Sequence, residues 1–377
     1  MSENPLVFLT ASEIRFGRGK ACEVAVTAKG FGQRAMLVNG ATAARADWLA
    51  DQLAPVARFA VGREPDIAMI EAGVAAARAA KVQVIVALGG GAVIDAGKAI
   101  AALVPAHLPM MDYLEVVGRG LPLEADPLPF IAVPTTAGTG AEVTKNAVIG
   151  VPSARRKVSL RDNRMLPDVA VIDSALTDGT PKSVTLASGL DAITQVIEPY
   201  LCTKANRLTD VLCRNAIPLG LAALVRLMEA EDVGARDDLA WVSLCGGLAL
   251  ANAGLGAVHG LAGPIGGVAP APHGAVCGVL LPPVLAANAQ AATGVAAARI
   301  SEVQTWISDA FGVETKQAMA ALQNWSQHHG LPRLSQMGVR EDELQSIAQA
   351  SLGSSSMRGN PVALTEGALT DILYAAY

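Results

Sequence analysis

Histidine is scarce in this chain, five residues in 377, and aromatic residues make up only 4%. So few aromatics disfavour an aromatic-rich β-sandwich and favour close-packed helices with short turns. Charged residues are also few, 17% against 51% hydrophobic, which excludes a disordered chain. No long basic run occurs and the formal net charge is −5, so no nucleic-acid partner is expected. The five cysteines (Cys22, Cys202, Cys213, Cys245, Cys277) are odd in number and lack C-x-x-C spacing. They read as small, reduced core residues of a cytoplasmic protein, not as a disulfide framework. The N-terminus, Met1-Ser-Glu-Asn-Pro, has no basic segment leading into an apolar one, so no signal peptide is read there. The most membrane-like stretch, 246–272, is broken by Gly and Pro and carries Asn252 and His259. It reads as a buried core helix followed by a loop, and no membrane partner is expected.

What is present is an alternation of strand-like and helix-like segments in the first half. Arg34-Ala-Met-Leu-Val-Asn-Gly40 reads as a strand ending in a turn, and 41–53 as a helix. The Ala-rich run 67–80 predicts another helix, and the β-branched run 82–88 a buried strand. Gly89-Gly-Gly91 is a turn, 92–103 a helix, and 130–133 a further strand. This order predicts a parallel sheet covered by helices. From about residue 182 long Ala/Leu-rich segments dominate. The expected organisation is an α/β dinucleotide-binding domain over 1–181 and an all-helical domain over 182–377.

Two loops suit a phosphate-bearing ligand. Gly89, Gly90 and Gly91 lie between a strand end and a helix start, where free backbone N–H groups and the helix dipole attract anions. The spacing is not G-x-G-x-x-G, and a tight turn with no ligand would look the same. Pro134-Thr-Thr-Ala-Gly-Thr-Gly-Ala-Glu-Val-Thr144 holds four threonines and two glycines after a strand and before an expected helix. Its hydroxyls and amides suit a pyrophosphate or a carboxamide, or else simply cap the helix. Asn146 and Lys157 follow. The run Arg155-Arg156-Lys157 also reads as a solvated basic turn.

Two of the five histidines, His259 and His273, fall in one apolar, Gly- and Pro-rich segment. Imidazoles in such a stretch need partners, and a metal could satisfy both. Two unrelated capping or core histidines would give the same pattern. In Gly189-Leu-Asp191-Ala-Ile-Thr-Gln195-Val-Ile-Glu198, helical spacing puts Asp191, Gln195 and Glu198 on one face. Asp191 with the two histidines makes an O,N,N set appropriate to Fe(II) or Zn(II).

Four motifs, Gly89–Lys98, Pro134–Thr144, Gly189–Gln195 and His259–Gly274, stand together in one order. In this the chain resembles the iron-containing (group III) alcohol dehydrogenase family, almost end to end, from Ile14–Gly17 to Gly359–Pro361. The resemblance implies a Rossmann-like α/β domain, a helical domain and a cleft where nicotinamide and metal meet. It implies that Gly89, Gly90, Gly91 and Ala92 hold the pyrophosphate, Ala92 standing where Ser is common. Thr135, Thr136 and Thr139 would line the cofactor, with Asn146 and Lys157 near it. Asp191, His259 and His273 match three of four metal ligands and act in catalysis through the metal. The fourth position, usually His, is Gln195, whose neutral amide oxygen is a weak ligand. Gly263 stands where many members have a His near the nicotinamide.

These features imply metal-assisted, reversible hydride transfer between an alcohol and NAD or NADP, in a homodimer or higher homo-oligomer. Many NAD-preferring members carry Asp near Gly40. Its absence, with Arg45 nearby, leads us to expect that NADP is tolerated and even preferred. Glu198 could orient a ligand or form a helix salt bridge. One alternative is reduction of an unsaturated oxo-acid, as in the similar maleylacetate reductases, with Arg155, Arg156 and Lys157 as anion-binding candidates. Another, from a different class, is a nucleotide-binding protein with an eroded, non-catalytic metal site.

Overall fold

A computed structural model describes residues 6–377. The chain divides into two compact units. One holds residues 9–136 and 140–177. The other holds 178–377 with Ala137–Thr139 and residues 6–8.

The first unit is built from β1 (Glu13–Phe16), α1 (Val24–Phe31), β2 (Ala35–Gly40), α2 (Asp47–Leu53), β3 (Ala57–Val61), α3 (Ile67–Ala79), β4 (Val84–Gly89), α4 (Gly91–Leu103), the single turn α5 (Met110–Tyr113), β5 (Phe130–Pro134), β6 (Asn146–Val151), β7 (Arg156–Arg161) and β8 (Val169–Ile172). Six strands form one parallel sheet in the order β1-β8-β5-β4-β2-β3. β4 and β5 are buried along their whole length, as an unbroken apolar run in a helix-covered sheet should be. In register, Gly89 faces Pro134 and Leu88 faces Asn39, so β2, β4 and β5 end along one edge. That edge is where open α/β sheets bind ligands. Helix α4 lies close on the sheet because of Gly97, where a Cβ would sit 2.8 Å from both Ala87 and the Phe130 ring.

Two expectations change here. No helix follows the threonine loop. A single 3₁₀ turn, Ala141–Val143, leads straight into the antiparallel hairpin β6–β7. The basic run is not one solvated turn either: Arg155 takes the turn at φ 49°, while Arg156 and Lys157 open β7.

The second unit is helical: α6 (Lys182–Leu201), α7 (Arg207–Glu229), α8 (Val233–Ala253), α9 (Ala257–Val268), α10 (His273–Ala291), α11 (Gly294–Phe311), α12 (Ala318–His328), α13 (Leu344–Ser351) and α14 (Glu366–Ala376). Fifteen of the twenty residues of α6 are buried, so it is the axis around which the others pack. The 246–272 stretch is not a helix followed by a loop. It is the end of α8 and a second helix, α9, bent 96° away at Gly254–Gly256. Helix α9 continues through Pro264, so His259 and His273 both sit on helices. By length and composition α7 and α10 could cross a membrane. In this unit about half of the apolar window of α7 and more of that of α10 are buried against other helices.

Candidate active site

Asp191 is buried at mid-helix on α6. It meets the start of α10 because that helix carries glycine at 274. A Cβ there would lie 2.4 Å from the Ala187 carbonyl oxygen and 3.3 Å from the Asp191 Cβ. The contact brings His273 Nε2 to 3.8 Å from Asp191 Oδ1. From α9, His259 Nε2 approaches the same oxygen to 3.5 Å. One turn along α10 from His273, the Cys277 sulfur stands 3.7 Å from each histidine Nε2. Ligand atoms of Asp191, His259, His273 and Cys277 all fall within 4.8 Å of one another. Asp191 Oδ1 is buried and makes no hydrogen bond. Such an orphaned carboxylate oxygen is costly unless a cation completes it.

The electrostatics agree. Burial would push His259 toward the neutral form, but the Cys277 sulfur, Glu198 and Asp191 outweigh it and hold the imidazole well above its ordinary pKa. The Cys277 sulfur, against burial and with help from Asp191, raises His273 to about 9. Burial would raise Asp191, yet the two histidines keep it below the usual carboxylate value. The cluster therefore favours positive charge at its centre.

Behind His259 a second layer is fixed. Its Nδ1 donates to Glu198 Oε2 at 2.6 Å, while the Val258 amide donates to Glu198 Oε1 at 2.7 Å. Glu198 thereby holds Nε2 toward Asp191 and Cys277, as outer-shell carboxylates do for metal-bound imidazoles. Gly256 leaves the room, since a Cβ there would lie 2.9 Å from Glu198 Oε1. The Ala257 amide donates to Asn360 Oδ1, which also accepts from Asn288 Nδ2.

Gln195 is one turn on from Asp191, but its amide nitrogen donates to the Gly138 carbonyl at 2.7 Å. Gly263 on α9 faces open space, with nothing within 4 Å of a built Cβ.

In the α/β unit, Gly90 is the N-cap of α4 and no side chain caps that helix. A Cβ on Gly90 would meet Thr136 Oγ1 at 3.2 Å, and the Thr135 amide donates to the Gly89 carbonyl at 2.9 Å. The glycine turn and the start of the threonine loop are thus one structure, with Gly91 and Ala92 supplying the first helical amides. This fits a phosphate. Thr139 groups with the helical unit instead. Asn146 begins β6, and its carbonyl accepts from Lys98 Nζ at 2.6 Å. Lys157 is paired with Glu64. Gly40 ends β2 with open space around its Cα.

Residues 11–174 match the model of the iron-containing alcohol dehydrogenases, and 185–377 match the model of that family's C-terminal domain. The chain belongs to the iron-containing alcohol dehydrogenase family. It is 33% identical to the lactaldehyde reductase of Escherichia coli K12 over 316 residues, 83% of this chain and 82% of the relative. It is 29% identical to the NAD-dependent methanol dehydrogenase of Bacillus methanolicus over 371 residues, 95% and 96% of the two chains. The solved structure of a 1,3-propanediol oxidoreductase superposes with a TM-score of 0.87 at 28% identity, covering 99% of this chain and all of that one. As in those relatives, a parallel-sheet α/β domain precedes a mostly helical one. The relatives are alcohol dehydrogenases and aldehyde reductases, and this member of the family is an oxidoreductase.

Asp191, His259 and His273 come together as their sequence pattern predicts, and Cys277, expected as an ordinary core thiol, joins them. The signal was its spacing, four residues after His273, which matters only once both are known to lie on one helix. Lys98 and Glu142 stand out only in the structure. Glu142 is 2% exposed, and burial raises its carboxyl to about 7 despite Lys98. Its native pKa exceeds the unfolded value, so the native state binds the extra proton. That contribution is complete below pH 4.5 and is lost as pH rises to 7, roughly 3 kcal/mol in all. Glu142→Gln is expected to flatten this part of the stability profile. Thermal melts at pH 5 and pH 8 check it: the variant should gain on the native protein only at pH 8, and parallel profiles would refute it.

Proposed function

We propose that the chain interconverts a small alcohol and its aldehyde or ketone, using NAD(P) and a divalent metal. The observation that carries this reading is the cluster of Asp191, His259, His273 and Cys277 with a buried, unpartnered carboxylate oxygen inside it. When bound, a divalent cation supplies Lewis acidity toward the alcohol oxygen, and a nicotinamide supplies the hydride acceptor.

Asp191, His259 and His273 would hold the cation. Asp191 brings the negative charge, and its burial keeps that charge undiluted by water. Glu198 keeps the His259 proton on Nδ1, leaving Nε2 as the donor atom. His273 is the ligand side chain that reaches solvent, 36% exposed against 8% for His259. Gly89, Gly90, Gly91, Ala92, Thr135 and Thr136 would hold the cofactor phosphates.

The NAD-dependent methanol dehydrogenase among the relatives supports NAD. Gly40, which ends β2 without a carboxylate, supports tolerance of NADP. The pairing of Lys157 with Glu64 weighs against an anion-binding oxo-acid site. The test is a panel of short alcohols and aldehydes, run with both cofactors on protein of known metal content. We expect aldehyde reduction with NADH and NADPH at kcat/KM values within about tenfold of each other. Dialysis against a strong chelator should remove both metal and rate. An undiminished rate after metal loss would sink the metal's role. An NADPH value more than tenfold below that for NADH would sink the cofactor assignment.

A further inference from the structure

The position beside Asp191 where an imidazole is usual holds Gln195, yet the cluster still has four donors. We infer that the Cys277 thiolate, not Gln195, is the fourth protein ligand, making an Asp-His-His-Cys site that selects Zn(II) or Co(II) over Fe(II). This rests on the reading that a metal binds here at all.

The geometry supports it. A metal with about 2.3 Å to sulfur and about 2.0–2.1 Å to nitrogen or oxygen, in tetrahedral array, sets donor atoms about 3.4–3.6 Å apart. The sulfur lies 3.7 Å from both Nε2 atoms, and Asp191 Oδ1 lies 3.5 and 3.8 Å from them. These are four of the six edges of a tetrahedron, and all four donor atoms lie within 4.8 Å of one another before any ion draws them inward. The sulfur is buried with its residue and faces the two imidazoles, not an aliphatic core. Asp191 Oδ1, buried and without a hydrogen bond, points to the same centre. The Gln195 head group, by contrast, is engaged by its nitrogen with the Gly138 carbonyl, and its oxygen is a neutral donor.

Ligand chemistry then sets the preference. Thiolates favour Zn(II), and imidazole suits zinc and iron alike, so exchanging a nitrogen for sulfur moves the site away from Fe(II). Ligation requires the thiol to lose its proton, which passes to buffer as the metal–sulfur bond forms.

The experiment uses full-length, metal-depleted protein titrated with Co(II) and Zn(II), alongside Cys277→Ala, Cys277→Ser and Gln195→Ala. Cysteine to serine keeps the packing and serves if the alanine variant folds poorly. In the native protein, one equivalent of Co(II) should give the intense near-ultraviolet sulfur-to-cobalt charge-transfer band. That band should vanish in both Cys277 variants and persist in Gln195→Ala. Zinc affinity, from chelator competition, should fall at least about 100-fold without Cys277, more than loss of an outer-shell partner causes, and change little without Gln195. Stoichiometric Co(II) binding without the band, or a band that survives loss of Cys277, would overturn the inference and leave the proposed function standing. Failure of the native protein to bind any divalent metal would overturn both.

Discussion

The Asp191→Asn variant is expected to lose its metal and at least about three orders of magnitude in kcat/KM. The exchange keeps the shape of a buried side chain but removes the carboxylate charge that stands between His259 Nε2 and His273 Nε2. Lewis-acid stabilisation of developing charge is worth several kcal/mol, and each 1.4 kcal/mol is about tenfold in rate. The oxygen concerned makes no hydrogen bond that asparagine could keep. Metal analysis of the purified variant, together with steady-state kinetics at saturating metal, checks the result. Full metal occupancy with activity within tenfold of the native protein would refute the assignment of Asp191 as a ligand.

A second large effect is expected far from any metal donor. Lys98 lies on α4, 1% exposed, with its ammonium among carbonyl groups. It donates to Ala141 O at 2.8 Å, Thr144 O at 3.1 Å, Thr144 Oγ1 at 2.8 Å and Asn146 O at 2.6 Å. Burial lowers its pKa, and Asp95, at 3.7 Å, only partly compensates. Lys98→Met would remove the cost of burying an ammonium, as replacements of buried ions often do. Here, however, three of the partners are backbone carbonyls and the fourth is the Thr144 hydroxyl, and they stay in place when the donor goes. Each unsatisfied group costs about 1–3 kcal/mol, so the net loss should be roughly 3–5 kcal/mol. The melting midpoint should fall on the order of 10 °C. The freed segment directly follows the threonine loop, so KM for the cofactor should rise about tenfold, with kcat less affected. An unchanged melt together with an unchanged KM would show that the four hydrogen bonds are dispensable.

Much of this was legible in the sequence because it rests on local rules. The β-branched run ending at Leu88 and the glycines after it leave few alternatives to a buried strand and a tight turn. The spacing of Asp191, Gln195 and Glu198 put them on one helical face, and α6 bears that out. Other features depend on contacts no local pattern encodes. Helix α9 runs through four glycines and Pro264, where propensity argues for a loop, because packing of Val258, Leu261 and Ile265 into the helical core outweighs it. The helix expected after the threonine loop is replaced by a 3₁₀ turn and a hairpin, held there by Lys98 from another element. Cys277 looked like any buried thiol until α10 set it one turn from His273.

The brace behind His259 has a consequence for how the protein comes to be made. Glu198, Val258, Asn288 and Asn360 meet around it, joined by hydrogen bonds spanning 60 to 103 residues of chain. None of them can form from a local segment, and loops of that length close late. During synthesis the three ligands nearest the middle of the chain are complete long before Asn360 is added. The nascent helical domain therefore passes through a period in which Glu198 already stands ready for His259 while the start of α9 is not yet tied through Asn360 to Asn288. A chain released before residue 360 would keep every metal donor and the carboxylate that aims His259, but would lack the tie that joins the start of α9 to α10.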